Sequence, residues 1–139
     1  MSGFVDLDQA KAYHGHLGPN LVFGLKMGNY AVNALSARTH FGMKAEVHCP
    51  ARPPVSCIID GVQLSTGCTM GKANISHVVS DGPVKAVFTN TDTHESITLQ
   101  LVDGVIDKYL GMYRDIGEEQ ASKSAWGASD DEVFTVCSP

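Results

Sequence analysis

Apolar residues in the first third of the chain recur with a helical period. Leu21, Leu25, Gly28, Val32 and Leu35 follow at spacings of 4, 3, 4 and 3, which predicts a helix of about five turns with one buried stripe. Pro19 suits its first turn, where a missing N–H costs nothing. Gly24 and Gly28 would let another backbone approach closely, each at about 1 kcal/mol of helix propensity. Upstream, Asp6 with Gln9 three residues later has the form of a capping box opening a short helix toward Tyr13. Gly15, Gly18 and Pro19 then punctuate the chain between the two helices.

From Lys44 the period changes to two. Ala45, Val47 and Cys49 share one face and Lys44, Glu46 and His48 the other, the pattern of a half-buried strand stopped by the prolines of "CPARPP". "SCIIDGVQLSTG" predicts a short helix with Ser56 as N-cap and Gly67 just past its end. "NISHVVS" and "VKAVFTN", joined by Ser80-Asp81-Gly82-Pro83, carry a hairpin signature. "SITLQLV" alternates Ile97, Leu99 and Leu101 against Thr98 and Gln100, a further strand, with a helix as the alternative. Val105, Ile106, Tyr109, Leu110 and Tyr113 mark a helix from about Asp103 to Arg114. A more polar tail leads to Trp126, and Ser129 with Glu132 repeats the capping-box pattern before "VFTV".

These elements predict an α+β fold: one domain with a mostly antiparallel or mixed sheet packed against the long N-terminal helix and the C-terminal helices. Residues 1–114 would form the core. Residues 115–139 would form a short helical extension, packed on a partner subunit or on the core.

Charge narrows the function classes. The formal net charge is −5, and the ten Lys and Arg residues are scattered, so neither a nucleic-acid footprint nor a membrane-surface run is present. No apolar segment reaches the roughly 18–20 residues of a bilayer span. The N-terminus has no basic region followed by an apolar one, so no signal peptide is expected, and a reducing, cytoplasmic home is. The four cysteines are then expected to be thiols or metal ligands rather than disulfides.

Candidate chemistry gathers in two places. His14 and His16 would point about 200° apart on a helix but share a side of an extended segment, with Gly15 relaxing the backbone between them. They could converge on an ion or substrate, or only form hydrogen bonds around a helix start. Cys57 stands at a helix start, where the dipole and free N–H groups favour a thiolate; the plainer reading is a small buried hydrophobe. Asp60, one turn on, could orient a ligand or accept a proton, or be a surface carboxylate. Cys68 lies eleven residues after Cys57, far from zinc-knuckle spacing, so a shared site would have to be made by the fold. "GCTMGKAN" fails as a phosphate loop, having three residues between its glycines and Ala73 after Lys72. His40 and His48 are expected in solvent, His77 and His94 have no local partner, Cys49 belongs to strand core, and Cys137 has no cysteine neighbour.

Taken together, "YHGHLGPNLVFGLKMG" and "CIIDGVQLSTGCTMGKAN" resemble the FmdE family, named for formylmethanofuran dehydrogenase. The family pattern C-x2-D-x2-Q-x3-G-C-T-x-G-K-x-N is met by Cys57, Asp60, Gln63, Gly67, Cys68, Thr69, Gly71, Lys72 and Asn74. The resemblance implies an α+β core in which the HGH loop and the Cys-containing helix meet around a metal. Zinc is the expected ion, with nickel or iron as alternatives. His16 and Cys57 are the implied ligands, and His14 and Cys68 are further candidates. Gly18 stands where the family usually has cysteine, and Asn20 where it usually has glycine. The cysteine-rich zinc finger of some members has no counterpart around Cys137.

Three functions follow from this reading. The first is an accessory or redox-associated metal-binding subunit of a molybdenum or tungsten formylmethanofuran dehydrogenase-like system in one-carbon metabolism, self-associating as a homodimer. The second is a stand-alone metalloenzyme with an open coordination position and Asp60 or His14 as acid/base. The third is a small-molecule or protein-binding module without metal.

Overall fold

A computed structural model describes residues 5–137. The helices are α1 (Leu7–His14), α2 (Pro19–Ala34), α3 (Ile58–Thr66), α4 (Val105–Ile116), α5 (Glu118–Gly127) and α6 (Asp130–Val133). The strands are β1 (Met43–Cys49), β2 (Ile75–Val79), β3 (Lys85–Asn90), β4 (Ser96–Leu101) and β5 (Phe134–Cys137). They form one five-stranded mixed sheet in the order β2-β1-β3-β4-β5, and the α+β expectation holds.

Local signals set most of the boundaries. The Asp6 carboxylate accepts from the Gln9 N–H at 2.8 Å while the Gln9 side chain accepts from the Asp6 N–H at 2.9 Å, a complete capping box. Pro19 occupies the first turn of α2, as its missing N–H allows. The stretch left open between strand and helix is strand β4. Ser129 does precede α6, but its hydroxyl binds the Asp131 and Glu132 carboxylates rather than capping the backbone.

Two local expectations are corrected. Ser56 is not the N-cap of α3: it lies inside a 3-10 turn over Val55–Cys57, and Cys57 takes the cap position with helical backbone and no side-chain cap bond. The predicted hairpin does not form either. β2 pairs with β1 in parallel, Val47 opposite His77, and β3 pairs with β1 antiparallel, Val47 opposite Ala86. The chain does reverse at residues 80–84, but over the end of β1, which lies between the two strands. A turn signature reports the reversal and carries no information on what lies between the strands. The parallel pair is possible because α3 supplies the long crossover it requires.

Leu21, Val22, Phe23, Leu25 and Met27 are all fully buried, so α2 is the central helix of the core. The β1 and β3 side chains that alternate inward, among them Val47, Ala86 and Phe88, form the opposing wall. Helices α2 and α3 touch backbone to backbone. A Cβ on Gly24 would stand 2.9 Å from Gly61 Cα, and one on Gly61 would stand 2.8 Å from Gly24 Cα, distances at which no side chain fits. Ser65 bridges the same seam, its hydroxyl donating to Gly24 O across it at 3.3 Å and to Gly61 O within α3 at 2.8 Å. At the far side, the buried Lys26 ammonium donates to Trp126 O at 3.2 Å and Ala128 O at 2.7 Å, and pairs with Asp130 at 3.4 Å. This ties the end of α5 to α2. Among the described residues no helix is long and apolar enough to cross a membrane.

Candidate metal centre

Of the two geometries open to the histidine pair neither holds throughout: His14 is the last residue of α1 and His16 lies beyond the turn that follows. Gly15 then reverses the chain in the left-handed region at φ 99°, a conformation that costs glycine little, and its N–H closes the helix on Lys11 O at 2.8 Å. That turn brings the His14 and His16 rings together, with centroids 4.6 Å apart and planes tilted by 39°. Because the Gly24–Gly61 seam holds α3 against α2, the start of α3 faces this turn. One ligand atom from each of His14, His16 and Cys57 falls within 4.8 Å of the others.

Both imidazoles are oriented by carboxylates. His14 Nδ1 donates to Asp60 Oδ2 at 2.6 Å, and His16 Nδ1 donates to Glu118 Oε2 at 3.0 Å. Since an ionised carboxylate only accepts, each Nδ1 carries a proton, and Nε2 is the ring nitrogen turned toward an ion. His14 Nε2 is buried and has no hydrogen-bond partner among the described residues. An unpaired buried acceptor costs about 1–3 kcal/mol. Imidazoles fixed through Nδ1 by carboxylates, with Nε2 left for an ion, are the usual supporting arrangement of a histidine metal site. The residues present therefore fit a metal: two imidazoles, a thiol and two flanking carboxylates in a chain with an acidic balance.

Of the two readings of Cys57, the one in which the helix start favours a thiolate does not hold for the metal-free protein. Burial raises its pKa first, and the neighbouring Asp60 and Glu118 carboxylates raise it further. Desolvation and two negative neighbours outweigh the helix start, so in the metal-free protein Cys57 is held as a thiol. Cys68 is not brought to the group. It follows the opposite end of α3, whose nine residues span about 13 Å at the usual rise. Cys68 is fully buried in the hydrophobic core, where its N–H donates to Thr66 Oγ1 at 3.1 Å. Burial raises its pKa as well.

The remaining histidines lie elsewhere. His48 Nε2 meets Glu46 at 2.7 Å on the outer sheet face, and His77 Nε2 donates to Cys49 O at 3.0 Å. Glu118 was not singled out from the sequence, for it stands 102 residues from its partner with no motif around it.

Gly18, the N-cap of α2, has ordinary extended backbone at φ −128°. A Cβ there would lie 3.4 Å from His16 Cε1 and 3.6 Å from Glu118 Oε2, so a side chain at position 18 would point into the ligand group. Beside the group opens a cavity of about 300 Å³. His16, Cys57 and Glu118 line one side, and Tyr109, Leu110 and Tyr113 of α4 the other.

Residues 13–135 match the family model described as FmdE, molybdenum formylmethanofuran dehydrogenase operon. Over 76 residues, 50% of this chain, the sequence is 32% identical to a protein of Archaeoglobus fulgidus named "Probable S-adenosyl-L-methionine-binding protein". That stretch covers 19% of the relative's length. The family match spans most of the chain, which therefore belongs to the FmdE family.

Proposed function

We propose that this FmdE-family chain binds one transition-metal ion, zinc by preference, through His14, His16 and Cys57. In this reading it serves as an accessory subunit of a formylmethanofuran dehydrogenase-type oxidoreductase of molybdenum or tungsten. The observation that carries metal binding is His14 Nε2, buried and unpartnered among the described residues while Asp60 holds the opposite ring nitrogen. Imidazole and thiolate donors suit zinc, and nickel or iron accept the same set. The family's operon association supports the oxidoreductase context.

Three protein ligands are the number found in zinc sites that keep a position for water or substrate, whereas structural zinc sites close with four. A bound zinc ion would supply a Lewis-acid centre. The chain's own residues do the rest. Asp60 and Glu118 hold the imidazole tautomers, and Cys57 gives its proton to solvent when the ion arrives. The cavity leaves one side of the group accessible. That open side favours, as a second reading, catalysis on a small molecule by this chain alone.

The deciding measurement is elemental analysis of protein purified reduced and without chelator, with anomalous scattering from its crystals. One ion per chain at His14, His16 and Cys57 is expected. His14→Ala and Cys57→Ala should each abolish it, with losses far from additive in the double variant. Protein without metal, and unchanged in thermal stability on adding zinc, would sink the reading.

A further inference from the structure

The cavity beside the ligand group has a composition that selects what enters it. It is shared with the proposed metal centre, since His16 and Cys57 belong to both. A molecule seated there has its end at the ligands and its body against α4. The wall formed by α4 is apolar and aromatic. Tyr109 is only 2% exposed and locked edge-on against Phe23, with ring centroids 5.5 Å apart, so it is a fixed surface. Leu110 and Tyr113, 38% and 42% exposed, form the rim.

The charge of the lining is one-sided. Among the described residues Glu118 is its only carboxylate, and neither Lys nor Arg contributes to it. A carboxylate or phosphate on the body of a guest would be taken out of water with no counter-ion, which is strongly unfavourable. The wall also holds the buried amide of Asn20, 7% exposed, whose Oδ1 is without a hydrogen-bond partner among the described residues. The volume of about 300 Å³ stands at the small end of ligand pockets, which run from about 300 to 1,000 Å³.

We propose that this cavity takes a small neutral molecule with an aromatic or aliphatic body and a single nitrogen or sulfur donor head, the head reaching the ion at His14, His16 and Cys57. The head's position rests on the metal reading of the previous section; the pocket for the body does not.

The test uses the full chain loaded with cobalt(II), whose visible spectrum reports a new ligand. Three probes share one head: imidazole, 4-phenylimidazole, and 4-phenylimidazole carrying a para-carboxylate. The phenyl group should tighten binding about tenfold or more, from burial of its surface, and the carboxylate should remove that gain. Leu110→Asp, on the half-exposed rim and outside the ligand group, should abolish the phenyl advantage and leave imidazole affinity unchanged. Equal affinity for the first two probes, or tightest binding of the carboxylate, would overturn the pocket while the metal reading stands. If cobalt does not bind, the metal reading falls and the body pocket is judged by amide NMR shifts at Leu110 and Tyr113 with 4-phenylimidazole. Shifts there keep the pocket, and their absence sinks it too.

Discussion

A cysteine at position 18 should convert the three-ligand group into a four-ligand one. The backbone there is extended, and the added Cβ would meet His16 and Glu118 at 3.4 and 3.6 Å, ordinary contact distances for that atom. Zinc sites with four protein ligands supply about 10–16 kcal/mol, or roughly 3–4 kcal/mol per ligand. The Glu118 carboxylate opposes a second thiolate, so the lower end applies, and zinc should bind about 100-fold more tightly. Losing glycine at a helix N-cap costs about 0.5–1 kcal/mol in the metal-free protein, or about 2–4 °C of Tm per kcal/mol. The signature is therefore opposite in the two states: Gly18→Cys melts lower without zinc and higher with it. Competition against a chelator of known zinc affinity reads the first quantity, and thermal melts read the second. Gly18→Ser is the control for zinc affinity, close to cysteine in size but a poor zinc ligand. A cysteine variant whose zinc affinity equals that of the serine variant would refute the placement of residue 18 at the ligands.

Other outcomes follow from the same geometry. Asp60→Asn should leave the fold intact and weaken zinc binding about 10–100-fold, because the His14 tautomer is no longer held; chelator competition measures it. Zinc affinity should climb about tenfold per pH unit across the neutral range, since burial and two carboxylates keep Cys57 protonated until the ion displaces its proton. A pH-independent affinity would contradict that. In reduced, metal-free protein the urea midpoint should fall between pH 9 and 11. Burial pushes the Cys49 thiol up to about 11 from 9.0, so the unfolded chain loses this proton first and stability drains as pH rises. Cys49→Ala should flatten that slope. Lys26→Met should cost about 1–3 kcal/mol in chemical denaturation, because the carbonyls of Trp126 and Ala128 lose their donor.

Much of this was legible in the sequence because it is local. The capping box at Asp6, the stripe of α2 and the alternation of β1 are each set by neighbours in the chain. The meeting of the HGH turn with Cys57 and Asp60 followed from the family pattern, not from periodicity. What could not be read depends on residues distant in sequence. Strand β2 has only Ile75 facing inward, so nothing in its pattern names β1 rather than β3 as its partner. Glu118 reaches His16 only because α5 packs on α2, and the cavity exists only because α4 lies across the group. The thiolate reading of Cys57 fails for the same reason. A helix start is visible in sequence, whereas the two carboxylates and the burial around it are products of packing.

The contact between Gly24 and Gly61 acts as a gauge block. Helices separated by side chains can slide or repack as those side chains change, but here backbone rests on backbone, and the spacing has no adjustable part. The histidine turn is the lead-in to one helix and Cys57 with Asp60 the start of the other, so their separation is machined by two residues that touch neither donor atom. Ligand identity at the site, including the letter at position 18, is thereby free to vary while the distance it must span stays constant.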